Sequence, residues 1–223
     1  MIKQDREKSG IETKKKLIIE TYKIIRDHGL EAVTAREVAK NSGVSATMIY
    51  KHFDNINYLI AIASLYCISD YLDDLVKIAN LYQDPIDMDL AGWKSFCTFA
   101  FRNPPLYANL FWGPCVNDME DICLEYFRLF PHEFIVRQNG FLINSLFTGD
   151  INRRDFIWMR RGANVGRLTY DDAVYLSRTN CLIVYAMLME HSRDYKEVSV
   201  QKAAAEECLS LIQRNIDKCL IKG

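Results

Sequence analysis

The segment from Thr34 to Phe53, TAREVAKNSGVSATMIYKHF, constrains the fold of this chain more tightly than any other stretch. It reads as two short helices joined by a tight turn. Thr34 and Glu37 fit a T-x-x-E capping box, in which the hydroxyl accepts from the Glu37 amide and the carboxylate reaches back to the Thr34 amide. Val38 and Ala39 give the first helix a small apolar face. Gly43 stands where the chain reverses, and a left-handed backbone costs glycine nothing there. Ser45 is placed as the N-cap of a second helix that turns Ile49 inward and leaves Thr47, Tyr50, Lys51 and His52 outside. This is the helix-turn-helix pattern, whose second helix enters the major groove of DNA.

The full series, T-x-R-E-V-A followed by G-V-S-x-x-x-I-Y-x-H-F, resembles the TetR family of transcriptional regulators over roughly residues 13 to 60. The resemblance implies that Ala46, Thr47 and Met48 meet base edges and that Thr34, Ser45, Tyr50, Lys51 and His52 meet phosphates. Arg36 is a further phosphate or minor-groove candidate. Ala46 and Met48 lack strong donors, so readout there would use thymine methyl contact, with Thr47 adding a hydrogen bond. The sequence departs from the family at one point. The family commonly has a lysine early in the next helix, F-x-x-K-x-x-L, where this chain has Ile56. One phosphate contact fewer is expected.

Charge is distributed in the same sense. The net charge is only −1, yet residues 1–60 hold eleven Lys/Arg against eight Asp/Glu, and the rest hold seventeen against twenty-one. A basic head on an acidic body fits a nucleic-acid reader. With 49% hydrophobic residues the chain can bury a substantial core. Its longest clean apolar run, Cys181 to Met189, is far shorter than the ~20 residues that cross a bilayer. The polar N-terminus resembles neither a signal nor a transit peptide, so a cytoplasmic protein without a membrane partner is expected. The seven cysteines form no C-x-x-C pair and have no histidine at metal-ligand spacing, which predicts buried small apolar residues. G-x-S-x-G, Walker and dinucleotide motifs are absent, so no enzyme, cofactor or metal is expected. Gly162 and Gly166 in RRGANVGRL lack a preceding strand and read as a helix end.

Along the chain the periodicity stays helical and predicts an all-α fold of nine or ten helices. Residues 1–10 read as a flexible arm, 11–54 as the DNA-binding domain, and 55–223 as a ligand-binding and dimerisation domain. Ser9-x-x-Glu12 offers a capping box for a first helix ending near His28, with Leu17, Ile18, Thr21, Ile24 and Ile25 as its inward stripe. After Phe53, a continuous helix of about 25 residues should reach Ala79 or beyond. The breaks beyond it are Asp84-Pro85, Asn103-Pro104-Pro105, Gly113-Pro114, Pro131, Asn139-Gly140 and Gly149-Asp150.

The body is rich in aromatic residues, which points to a pocket between helices for an apolar or aromatic small molecule. Its candidate lining is Tyr66, Trp93, Phe96, Phe111, Trp112, Tyr126, Phe127, Phe147 and Trp158. His132 and His191 are isolated and read as surface or satisfied core residues. The last two helices, about 169–191 and 196–221, are apolar enough to form a four-helix interface with a second copy. That is also the dimer the resemblance implies, with two recognition helices ~34–36 Å apart on a palindromic duplex operator. The expected function is therefore a ligand-responsive regulator, most simply a repressor. The alternative is a helical small-molecule-binding protein whose specific DNA binding is weak or lost.

Overall fold

The computed structural model describes residues 2–131 and 150–221, with side chains from residue 8 onward. Among the described residues the fold is all-α, with eleven α-helices, two 3₁₀ turns and no strand. The helices are α1 (Ile2–His28), α2 (Ala35–Ser42), α3 (Ala46–His52), α4 (Ile56–Cys67), α5 (Ser69–Leu81) and α6 (Pro85–Ala100). They continue as α7 (Pro104–Trp112), α8 (Met119–Leu129), α9 (Ile151–Asn164), α10 (Tyr170–Glu190) and α11 (Val198–Cys219). The chain forms two compact units, Met1–Ser69 with Asp118–Phe134, and Asp70–Asn117 with Ile135–Gly223.

In the first unit α1 packs on α2, α3 and α4, and α8 packs on α4. The whole predicted α1 stripe is buried, Leu17, Ile18 and Thr21 completely and Ile24 and Ile25 nearly so. Each such aliphatic side chain stabilises the unit by about 1.5–3 kcal/mol. Thr21 is tolerated there because its hydroxyl donates to the Leu17 carbonyl at 2.8 Å. Gly29 ends α1 at φ 87°, a conformation glycine adopts without strain. Residues 2–10 differ from expectation: they are helical and extend α1, so Ser9 lies inside the helix, where its carbonyl accepts from Thr13 Oγ1 at 2.9 Å.

The long helix predicted after Phe53 is in fact two, broken at Ile68. Ser64 Oγ donates to the Ile60 carbonyl at 2.8 Å, and Cys67 Sγ approaches the Ala63 carbonyl at 3.6 Å. Such back-bonding bends helices, and Ser69-Asp70 just beyond favours a new start over continuation. The passage from one compact unit to the other falls at this break.

In the second unit α6 packs against α7, α9 and α11, and α10 packs against α7, α9 and α11. Asp84 caps α6 by accepting from the Ile86 and Asp87 amides at 2.9 and 3.1 Å, with Pro85 in the first turn where no amide is required. Arg167 forms an ion pair with the same carboxylate. The apolar side of α11, Ala204, Cys208, Ile212 and Ile216, is buried within the chain. A polar pair lies between α10 and α11, where Asn215 Nδ2 donates to Asn180 Oδ1 at 3.0 Å and to Thr179 Oγ1 at 2.8 Å. What remains outside on α10 is a stripe of Val174, Tyr175, Leu182, Tyr185 and Met189. The exposed apolar side chains of the last two helices therefore lie mainly on α10. Gly162 is buried inside α9, and Gly166 follows that helix at φ 75°, which agrees with a helix end.

Candidate functional site

The helix-turn-helix is built largely as its residues dictate. Thr34 Oγ1 accepts from the Glu37 amide at 3.1 Å. The return bond of the capping box is not made. Glu37 instead takes Lys40 Nζ at 3.3 Å, because a cation one turn on competes for an exposed carboxylate. Gly43 sits at φ 66°, ψ 32°, with its amide on the Lys40 carbonyl at 3.2 Å and the Val44 amide on the Ala39 carbonyl at 3.0 Å. That pair of bonds is a Schellman turn, which closes α2 and aims the chain into α3. Ser45 occupies the N-cap position of α3 but makes no side-chain cap bond, so its hydroxyl is uncommitted.

Ile49 and Phe53 anchor α3 from below, fully and almost fully buried. Of the nine candidate DNA residues, Thr34 caps α2, Arg36 lies on α2, Ser45 precedes α3, and the other six lie on α3. Thr34, Arg36, Ser45, Ala46, Thr47, Tyr50 and Lys51 are exposed, and Met48 and His52 are half-buried. The α3 first turn carries no acidic residue and its last turn carries Lys51 and His52. Partial burial, with Lys14 and Lys51 nearby, pushes the His52 pKa down, so the ring is a neutral hydrogen-bonding group rather than a cation. Ile56 is the first residue of α4 and half-buried, with no charge to offer a phosphate.

Behind this surface, three elements of the first unit are tied by one carboxylate. Glu125 of α8 pairs with Lys14 of α1 and accepts from Tyr58 Oη of α4 at 3.0 Å. Lys14 Nζ also lies 5.4 Å from the centre of the Phe53 ring. The last residue supporting α3 is thereby held by charged groups of α1 and α8.

The second unit contains a crevice lined by Tyr71 and Leu75 of α5, Asp89, Gly92, Trp93 and Phe96 of α6, and Ile151, Arg154, Asp155 and Trp158 of α9. The enclosed space is about 30 Å³, rising to about 370 Å³ when gaps between lining atoms and the open mouth are counted. Gly92 lets α9 come close, since a Cβ there would lie 3.4 Å from the Trp158 ring. The Arg154 guanidinium lies 4.6 Å from the Phe111 ring centre and 5.9 Å from that of Phe96, and donates to Tyr71 Oη at 3.4 Å.

Asp89 and Asp155 are 2% and 6% exposed. Burial pushes both pKa values up, and each carboxyl also feels the other; Arg154 opposes the rise at Asp155. Two carboxyls this close and this dry hold at least one proton between them near neutral pH. The Trp93 indole N–H lies beside Asp155 and also opposes the rise of its pKa. Asp89 Oδ2, Asp155 Oδ2 and Trp93 Nε1 are all buried without a hydrogen-bond partner.

The nine predicted lining residues are dispersed. Trp93, Phe96 and Trp158 line the crevice, and Phe111 lies next to it beneath Arg154. Trp112 is half-buried and packs on Tyr185 at 5.2 Å. Tyr66, Tyr126 and Phe127 belong to the first unit, where Tyr66 packs on Tyr22 at 4.7 Å and on Phe130 at 5.8 Å. Phe147 lies outside the described residues. The polar lining was missed, although a signal for it existed. Asp89 falls on the same apolar stripe of α6 as Ile86, Trp93, Phe96 and Cys97, and Asp155 on that of Ile151, Trp158 and Met159. An acid on a core stripe marks a buried polar site.

Residues 17–61 match the model of the bacterial regulatory proteins of the tetR family. Among solved structures the chain is similar to a candidate transcriptional regulator from Pseudomonas aeruginosa PAO1, at 18% identity and TM-score 0.53 over 92% of this chain and 88% of that one. It is also similar to Thermus thermophilus FadR, a TetR-family transcriptional repressor in complex with lauroyl-CoA, at 12% identity and TM-score 0.53 over 94% of this chain and 96% of that one. A third is RolR in complex with resorcinol, at 13% identity and TM-score 0.50 over 97% of this chain and 98% of that one. At these identities the likeness fixes the fold. No curated protein matches the chain in sequence.

Proposed function

We propose that this chain, whose residues 17–61 match the tetR family of bacterial regulatory proteins, is a ligand-responsive transcriptional repressor that binds a palindromic operator as a cytoplasmic homodimer. The observation that carries this reading is α3. Its inner side is fixed by Ile49, and its outer side presents Thr47, Tyr50 and Lys51 to solvent with no acidic residue among them. Phosphate contacts from Thr34, Ser45, Tyr50, Lys51 and His52 set the register, and Ala46, Thr47 and Met48 read bases. The exposed α10 stripe supplies the self-complementary surface of a twofold dimer.

The effector is a small aromatic compound held in the α5–α6–α9 crevice. FadR is in complex with a long acyl thioester and RolR with a single-ring diphenol. The enclosed space of about 30 Å³ is water-sized, so Trp93, Phe96 and Trp158 must part to admit even one ring, and a small ring demands less opening than a long acyl chain. Release from DNA is linkage: the effector prefers the conformation that does not bind the operator. A hundredfold drop in operator affinity requires about 2.7 kcal/mol of such preference.

The test is a mobility-shift titration of the full chain on its own upstream DNA and on a scrambled duplex, at low and moderate salt. A repressor distinguishes the two duplexes at both salts. Equal affinity for both would favour a binding protein with lost specificity, the reading that Ile56 in place of a cation supports.

A further inference from the structure

We propose that Glu125 of α8 is a positioning residue for DNA reading, which holds the C-terminal end of α3 in place through Lys14 and Tyr58. This rests on the DNA-binding role of α3 proposed above and names what keeps that helix in register.

The line of contacts is short. Phe53 ends α3 with its amide on the Ile49 carbonyl, and it is 3% exposed. Two groups from outside α3 lie against its ring. The Lys14 ammonium is 5.4 Å from the ring centre, and the Tyr58 ring is 6.4 Å away. One carboxylate holds both. Glu125 Oε1 pairs with Lys14, and Glu125 Oε2 accepts from Tyr58 Oη at 3.0 Å. The Lys14 and Glu125 side chains are 25% and 16% exposed, so water is a poor substitute for either partner. Without the carboxylate the ammonium turns to solvent and leaves the Phe53 ring, and the Tyr58 hydroxyl loses its acceptor. α1 also runs beside the same end of α3, since a Cβ on Gly10 would lie 3.9 Å from His52 Cε1. A shift of α1 against α8 therefore disturbs His52 and Phe53 together.

The carboxylate stands on a helix with a special place in the chain. α8 belongs to the first unit, yet the segments before and after it, Asp70–Asn117 and Ile135–Gly223, belong to the second. A displacement carried along the backbone into α8 reaches the reading helix through Glu125.

The test is fluorescence anisotropy of the full-length protein on its own upstream duplex and on a scrambled one, over a salt series, with a urea midpoint for each variant. Removing an acid from a DNA-binding unit ordinarily strengthens binding, because it lowers repulsion of phosphate. Positioning predicts the opposite sign. Glu125→Gln should weaken binding to the upstream duplex about tenfold, and Lys14→Met should do the same. Neither should change the slope of log affinity against log salt, since no phosphate contact is lost. The double variant should be no weaker than the worse single one, because the two residues act as a unit. Tyr58→Phe keeps the ring and removes one hydrogen bond. It should weaken binding about threefold, and it decides the matter if Glu125→Gln does not fold. Unchanged or stronger binding in folded variants overturns the inference while the repressor reading stands. A slope altered by about 0.9 in either single variant also overturns it, by making Lys14 a phosphate contact. If the unaltered protein does not prefer its upstream duplex, the repressor reading fails and takes this inference with it.

Discussion

The two compact units treat buried polar groups in opposite ways. In the first, Thr21 and Ser64 donate to backbone carbonyls, and the Ser42 hydroxyl is the exception. Its polar groups proposed to meet DNA are on the surface, along α3. In the second, two acids and an indole N–H are desolvated and left open around a crevice. Unsatisfied interior groups are costly, so a structure that keeps several together is arranged for something that completes them. One unit has a finished core and carries its proposed DNA-reading residues on its surface; the other keeps buried polar groups around the crevice proposed to take an effector.

Changes inside the head should cost most. Ile49→Ala empties a fully buried position under α3 and should destabilise the protein by about 2–5 kcal/mol, read by urea denaturation, with operator binding lost in parallel. If the chain keeps its stability, the head is not the finished core described here.

The body should respond in the other direction. Asp155 and Asp89 have raised pKa values in the folded chain, so it retains protons that the unfolded chain gives up. Stability from this pair is fully present below the ordinary carboxylate range, near pH 4, and is lost as pH rises through the folded value, about 8 for Asp155. Arg154, Tyr71 and Cys181 are the other titratable groups around the pair. Asp155→Asn should therefore stabilise the protein by about 1–2 kcal/mol at pH 8 and much less at pH 4.5, measured as thermal midpoints across that range. A gain independent of pH would mean the pair is ionised throughout.

Smaller effects sharpen the contrast. Gly43→Ala places a Cβ in open space but at φ 66°, so its cost is backbone strain alone, about 1 kcal/mol. Ile56→Lys restores a cation at the start of α4. It should strengthen DNA binding a few-fold and steepen the slope of log affinity against log salt by about 0.9, with stability little changed.

The head was legible because its signals are local. A capping Thr, a turn Gly and an apolar stripe act within a few residues of one another, and the structure uses each of them. What escaped was settled by tertiary context. The break at Ile68 depends on Ser64 and Cys67 turning back to carbonyls one turn earlier, which apolar periodicity does not report. The aromatic count in the body drew attention to rings now split between the two units. The polar chemistry of the crevice comes from two single acids, distant in sequence, that only the packing of α6 on α9 brings together.

Fluorescence anisotropy on the chain's own upstream DNA, comparing the unaltered protein with a Tyr50→Ala, Lys51→Ala double variant, most directly tests whether the outer side of α3 reads DNA. Both residues are exposed, so the variant should melt within a degree or two of the parent yet bind at least tenfold more weakly. Undiminished affinity in a variant that folds normally would contradict the assignment of α3 as the reading helix.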